Sequence, residues 1–230
     1  MANKSGITRK EYTDMKGYKT TYEGGQAEIV EKKSRFIATV APVSSEEEAL
    51  EFINGIKKKY WDATHNCAAF VVGRNQELSR CNDDGEPSGT AGRPMLDVLL
   101  REDIHNTAVV VTRYFGGTLL GTGGLVRAYS KAVQEGLKNS VMIEKQEGIL
   151  LTIETDYNGL GKIQYLLGQK GYVTVDSSYT DTVSIQVLVP AQEAAELEES
   201  LTEATNGRAD FTGRTSVIFA MIGKTPRIFS

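Results

Sequence analysis

Cysteine is scarce in this 230-residue chain, which has two, Cys67 and Cys81. Two thiols cannot build a disulfide framework, and neither falls in the paired Cys or His spacing of a structural zinc site. Free thiols in a reducing compartment are the expectation. Nor does any apolar run approach the roughly 18 to 20 residues that cross a bilayer. The basic start, Met1 to Lys10, has no hydrophobic segment and no small-residue cleavage site, which excludes a secretory signal. A soluble cytoplasmic protein with no membrane partner follows. Repeats and low-complexity tracts are missing as well, so a solenoid or a disordered scaffold does not fit.

What is present is ordinary globular material, 40% hydrophobic and 24% charged, long enough for two domains that each bury a core. The net charge of −4 is unevenly spread. Residues 140–230 carry 7 Lys and Arg against 12 Asp and Glu, while residues 1–139 carry 19 against 18. Only the near-neutral first part suits a polyanionic partner.

The most specific stretch is Thr107 to Lys131, TAVVVTRYFGGTLLGTGGLVRAYSK. Its β-branched run from Ala108 to Val111 predicts a buried strand. Gly116, Gly117, Gly121, Gly123 and Gly124 then crowd into nine residues, which calls for positive φ or for close approach by a partner. After Gly124 the spacing of Leu125, Tyr129, Ala132, Val133 and Leu137 predicts a helix with one buried face, and Arg127 and Lys131 stack on another. Free glycine amides at a helix start, with Arg113 before them and Arg127 and Lys131 after, form a candidate anion or nucleic-acid site that includes Thr122. The pattern departs from named phosphate loops: position 126 is Val where GxGxxG needs Gly, and no GK[ST] follows. Nucleotide hydrolysis is therefore set aside. A purely structural use of the glycines, in a tight strand-to-helix crossover, competes on equal terms.

Residues 1–17 are polar and without period, and they read as a flexible leader. Two extended segments, Ala27 to Lys32 and Arg35 to Ala41, reverse at Lys33-Ser34. Overlapping capping boxes at Ser44 and Ser45, with Glu47 and Glu48, open a helix with Ala49, Phe52, Ile53, Ile56 and Tyr60 inward, which closes on Lys57, Lys58 and Lys59. His65 to Val72 and Leu78 to Cys81 read as strands. Between them and a short helix from Pro94 lies Asn82 to Gly92, turn chemistry throughout and long enough to be functional. Beyond Lys138-Asn139-Ser140 the order is strand, helix, strand, strand, helix, strand, with a helix starting at Pro190 and an irregular last strand from Ala209 to Met221. The expected bodies are residues 18–139 and 140–230.

Three chemical readings attach to side chains outside the glycine loop. His65 and Cys67, two apart on a strand, face one side and offer a nucleophile or metal pair, but no fourth ligand and no orienting acid can be named. A buried thiol and a hydrogen-bonded histidine is the favoured alternative. Asp83, Asp84 and Glu86, with Ser88, Thr90 and Arg93, make a secondary candidate loop for acid/base work or magnesium, against a favoured role in capping turns.

The texts KKSRF at Lys32 to Phe36, HNCAAF at His65 to Phe70, NDDGEPSGTAGRPMLD at Asn82 to Asp97, and VVVTRYFGGTLLGTGGLVRAYS at Val109 to Ser130 closely resemble the IMPACT-like family, of the bacterial YigZ/YvyE type. The resemblance covers residues 18 to 138, and the C-terminal module resembles the small domain that bacterial members carry. It implies an α+β chain: a domain similar to the second domain of ribosomal protein S5 and to an elongation-factor domain, then a ferredoxin-like sandwich. It also implies a role near translation. Eukaryotic relatives act on the general-control response through a protein partner and an additional domain. No catalytic residue, cofactor or metal is implied. The expectation is a non-enzymatic protein that binds RNA or the ribosome, with an enzyme for a phosphorylated small molecule and a regulator with a protein partner as the alternatives.

Overall fold

The computed structural model describes residues 17–223 and 225–229; apart from Gly17, the expected leader lies outside them. The architecture is mixed α+β. Two compact bodies emerge, Tyr18–Glu144 and Lys145–Ser230.

In chain order the first body holds β1 (Tyr18–Glu23), β2 (Gln26–Glu31), β3 (Ser34–Pro42), α1 (Glu46–Lys59), β4 (His65–Val72) and β5 (Leu78–Asn82). It continues with α2 (Gly92–Arg101), β6 (Ile104–His105), β7 (Thr107–Tyr114) and α3 (Thr122–Lys138). Five of its strands form an antiparallel sheet in the order β2-β3-β7-β4-β5. β1 pairs with β6 in parallel. Alternation along β7 decides the layers: Val109 and Val111 point into a core with residues of α2 and α3, while Ala108 and Val110 point into a second core with α1. Because both faces of this central strand are covered, its sequence reads as one unbroken apolar run.

Side-chain chemistry fixes the ends of these elements. Ser45 caps α1 by accepting from the Glu48 amide, and the Glu48 carboxylate accepts from the Ser44 amide and hydroxyl. The expected capping box is thus met on the Ser45 side, while the Glu48 carboxylate reaches Ser44, one residue before the N-cap. The β2–β3 reversal falls on Lys32 and Lys33, not on Lys33 and Ser34. Both lysines have positive φ, 45° and 67°, and the pairing Glu31↔Ser34 closes a two-residue hairpin. Such loops favour primed turns, whose twist matches that of the strands, which is why Ser34 is released to start β3.

The second body contains most of β8 (Val141–Thr155), then α4 (Tyr157–Lys170), β9 (Val173–Tyr179), β10 (Val183–Pro190), α5 (Ala194–Thr205), β11 (Asp210–Ile222) and β12 (Thr225–Phe229). Its strands run antiparallel in the order β9-β10-β8-β11-β12. Ile163 and Leu167 of α4 and Leu197 and Leu201 of α5 bury against Leu151, Ile153, Ile185 and Val187. Pro190 ends β10 instead of opening α5, which begins at Ala194. β11 carries a register shift between Phe211 and Gly213, near its start and not at the irregular centre expected, and a further strand follows it. The division between bodies falls at Glu144 and Lys145, inside β8. Asn139 caps α3 and Ser140 bonds back to the Gly136 carbonyl at 2.9 Å, so the polar break ends a helix and the strand starts one residue later.

Candidate functional site

β7 delivers the chain to the glycine loop, and two different demands explain the glycines there. At Gly116 the demand is proximity: a Cβ would lie 2.0 Å from the Lys33 carbonyl carbon, and the Gly116 amide donates to Ser34 Oγ at 3.1 Å. At Gly121 it is conformation, since this N-cap has φ of 71°, a region that L side chains avoid; Gly117 shares the property, with φ of 81°. α3 then starts at Thr122, so Gly123 and Gly124 lie in its first turn instead of preceding it. No side chain caps this end. The first-turn amides are thereby left to solvent or to a ligand.

Arg127 and Lys131 are exposed one turn apart on α3. They border a cavity of about 230 Å³ with Lys32 from the β2–β3 turn and Gly124. Ile29, Leu120 and Ala128 supply its apolar lining, and Glu31 is its acid. The Arg127 guanidinium lies over the first turn, with Nη1 at 3.6 Å from where a Gly123 Cβ would be. Three cations, with Arg127 over the first turn of α3, form an electropositive cleft suited to phosphate oxygens. Lys32 was missing from the sequence reading of this site. Its signal lay in the adjacent lysines of the KKSRF text, but nothing in the sequence relates a hairpin turn to a helix some 90 residues on.

Arg113 does not join this cluster. Its side chain is 6% exposed, its Nη1 donates to Glu86 Oε1 at 2.5 Å, and the Phe36 and Phe115 rings lie 5.3 and 5.6 Å from its guanidinium carbon. A guanidinium so enclosed serves the core, because exposing it to a phosphate would strand Glu86 as an unpaired buried charge. The same Glu86 oxygen accepts from Tyr129 Oη at 2.8 Å. Cys67 Sγ lies 3.4 Å from that hydroxyl and donates to the Asp83 carbonyl at 3.0 Å. Burial pushes the Cys67 thiol up to about 12, against the Tyr129 hydrogen bond and with help from the charges of Glu86, Asp84 and Asp83. Burial also raises Tyr129, and Cys67 and Glu86 raise it further. His65 Nδ1 sits 2.8 Å from the Asp84 carbonyl, and its Nε2 is 3.9 Å from Glu86 Oε2. A thiol held protonated in this way is a poor nucleophile and a poor metal ligand. Among the described residues no three His, Cys, Asp or Glu side chains gather as a metal ion would need.

The loop from Asn82 to Gly92 is latched, and its acids are dispersed. Asp83 accepts from the amides of Gly89, Ala91 and Gly92 at 2.8, 3.1 and 2.8 Å, capping α2 from a distance because its own N-cap, Ala91, has no side chain to do so. Burial works to raise that carboxyl, and the three amides together hold it below its ordinary value. Asp84 pairs with Lys57 and accepts from the Asn66 amide at 2.6 Å. Glu86 turns into the core. Thr90 Oγ1 donates to the Pro87 carbonyl at 2.6 Å, Arg93 pairs with Asp97, and Ser88 is exposed. None of these six residues lines the basic cleft.

The profile of the Impact N-terminal domain matches residues 32–137, and that of a domain of unknown function, DUF1949, matches residues 153–208. The IMPACT family member YvyE of Bacillus subtilis (strain 168) is 47% identical over 193 residues, which cover 84% of this chain and 89% of the relative. YigZ of Escherichia coli (strain K12), named as a member of the same family, is 38% identical over 178 residues, 76% of this chain and 87% of its own. A crystal structure of a hypothetical protein superposes with a TM-score of 0.56 at 34% identity, covering 85% of this chain and 96% of that one.

Proposed function

Because this chain belongs to the IMPACT family, we propose that it acts in translation as a non-enzymatic binding protein, docking phosphates of structured ribosomal RNA where Lys32, Arg127 and Lys131 meet the start of α3. The observation that carries this reading is the cleft itself: three exposed cations, none with an ion pair among the described residues, beside an uncapped helix N-terminus. Phosphate oxygens satisfy both at once. The sheet order β9-β10-β8-β11, with α4 and α5 burying apolar faces against it, supports a ferredoxin-like sandwich for the second body. We assign the first body to the class of the second domain of ribosomal protein S5, the class that the family resemblance implies.

Co-sedimentation with ribosomes at low salt is the test. Wild-type protein is expected in the ribosomal pellet, and a smaller share of Arg127→Ala/Lys131→Ala. Equal pelleting of the two would remove this surface from the account. A nucleotide or sugar phosphate that raises the melting temperature, where RNA does not, would assign the cleft to a small phosphorylated ligand instead.

A further inference from the structure

A second surface of the first body is rich in aromatic rings, and the hydrogen bonds of one turn assemble it. Residues 60–64, leaving α1, are laced to the end of β7. Tyr114 Oη donates to Asp62 Oδ1 at 2.8 Å, the Phe115 amide donates to Thr64 Oγ1 at 3.1 Å, and the Thr64 amide donates to the Arg113 carbonyl at 2.9 Å. Tyr60, Trp61, Tyr114 and Phe115 thus share one rim, although more than 50 residues separate the two pairs. Cations already lie against three of the rings: Arg35 at 5.5 Å from Tyr114, Lys59 at 5.1 Å from Tyr60 and Arg113 at 5.6 Å from Phe115. Trp61 and Phe115 keep exposed surface. Trp61 is 82% exposed and Phe115 46%, and the buried Arg113 backs the Phe115 ring.

We propose that this rim stacks unpaired bases of RNA, with Trp61 and Phe115 as the platforms. The proposal rests on the RNA reading above and deepens it, naming single-stranded segments as part of the ligand. Charge complementarity selects this occupant. Exposed Lys58 and Lys59 flank the rim on the α1 side, and on the other side Gly116 packs against the backbone of exposed Lys33. Of the acids nearby, Glu28 is neutralised by Arg35, and Asp62 accepts from the Tyr114 hydroxyl and keeps its charge. Open ring faces between cations are what a strand of bases and phosphates requires, and stacking is tolerant of sequence because every base has a π-face. Residues 32–35 tie the rim to the basic cleft, since Lys32 lines the cleft and Arg35 pairs with Tyr114 across the sheet. A structured phosphate contact at one end and an unpaired strand at the other therefore fit one RNA.

Trp61 is the only tryptophan in the chain, so its emission reports the rim directly. The full chain is titrated with a ten-residue oligouridylate and, separately, with a blunt RNA duplex of equal phosphate number. The single strand is expected to quench Trp61 and the duplex to leave it unchanged. By anisotropy of labelled RNA, Trp61→Ala is expected to weaken the single strand roughly five- to 100-fold while sparing the duplex, and Trp61→Phe to restore most of the loss. Arg127→Ala/Lys131→Ala is expected to weaken both. If Trp61→Ala weakens neither RNA and emission does not change on binding, the proposal is overturned while the cleft reading stands. If wild type binds neither RNA, both fall. If RNA leaves the emission unchanged but RNA-free ribosomal proteins shift it to the blue, the proposal is overturned and the rim belongs to a protein.

Discussion

Glu86 and Arg113 lie 27 residues apart in sequence and meet in the core. Neither is expected to be dispensable to the fold, because removing one charge of a buried pair strands the other. Glu86→Gln should therefore lower stability by about 3 to 5 kcal/mol in urea unfolding. Adding Arg113→Leu to it should recover part of that loss, since an apolar replacement removes the stranded charge. A loss below about 1 kcal/mol for Glu86→Gln would contradict the pairing. The same cluster governs thiol chemistry. With Cys67 fully buried and its thiol raised to about 12, an aromatic disulfide reagent at pH 8 should titrate one fast thiol per native chain, exposed Cys81. The second should appear only on unfolding, and Cys81→Ser should abolish the fast phase; two fast thiols in the native state would count against the burial. Helical spacing already put Tyr129 on the buried face of α3. Its partner Glu86 was hidden, because a carboxylate inside a turn-rich loop has the same sequence signature whether it caps a turn or enters the core.

The elements nearest the cleft are a hairpin and a helix, and each carries a local cost. Lys32 and Lys33 hold the left-handed conformation of a two-residue turn, where Asn and Gly are at ease and lysine is not. Lys33→Gly, which keeps Lys32 in the cleft, relieves about 1 to 2 kcal/mol of left-handed strain against about 0.4 to 1 kcal/mol of added unfolded-state entropy, so a small net gain is expected, read as a higher urea midpoint at unchanged m-value. A lower midpoint would mean that the Lys33 side chain contributes more than its backbone costs. Alternation and capping residues made most strands and α1 legible in the sequence, since period and cap chemistry are local. The start of α3 was misread by three residues because glycine disfavours a helix interior, yet two glycines fit its first turn, where Gly124 rests against Leu120. β1, β6 and β12 went unread. β6 has two residues, and the mixed pattern of β1 becomes a strand through its place between β6 and β8.

At the scale of the whole molecule, charge restricts where a polyanion can bind. Residues 140–230 carry five more acids than bases, whereas residues 1–139 are balanced within one charge. A phosphate backbone would thus meet less repulsion at the first body than at the second. The sequence changes pattern after Ser140, while the division inside β8 was not legible, because only Asn139 and Ser140 separate α3 from β8 and they leave no linker composition to read. The cleft was half legible: Arg127, Lys131 and the glycines share one stretch of chain, and Lys32 joins them only through the fold. The central claim is that Lys32, Arg127 and Lys131 together contact RNA phosphates. Its most direct test is the salt dependence of ribosome binding by the full chain, wild type against Arg127→Ala/Lys131→Ala. Three phosphate contacts predict a log–log slope of roughly −2 to −3 for wild type and about −0.7 to −0.9 for the variant, in which one cation of the three remains. The same steep slope in both proteins would contradict the claim.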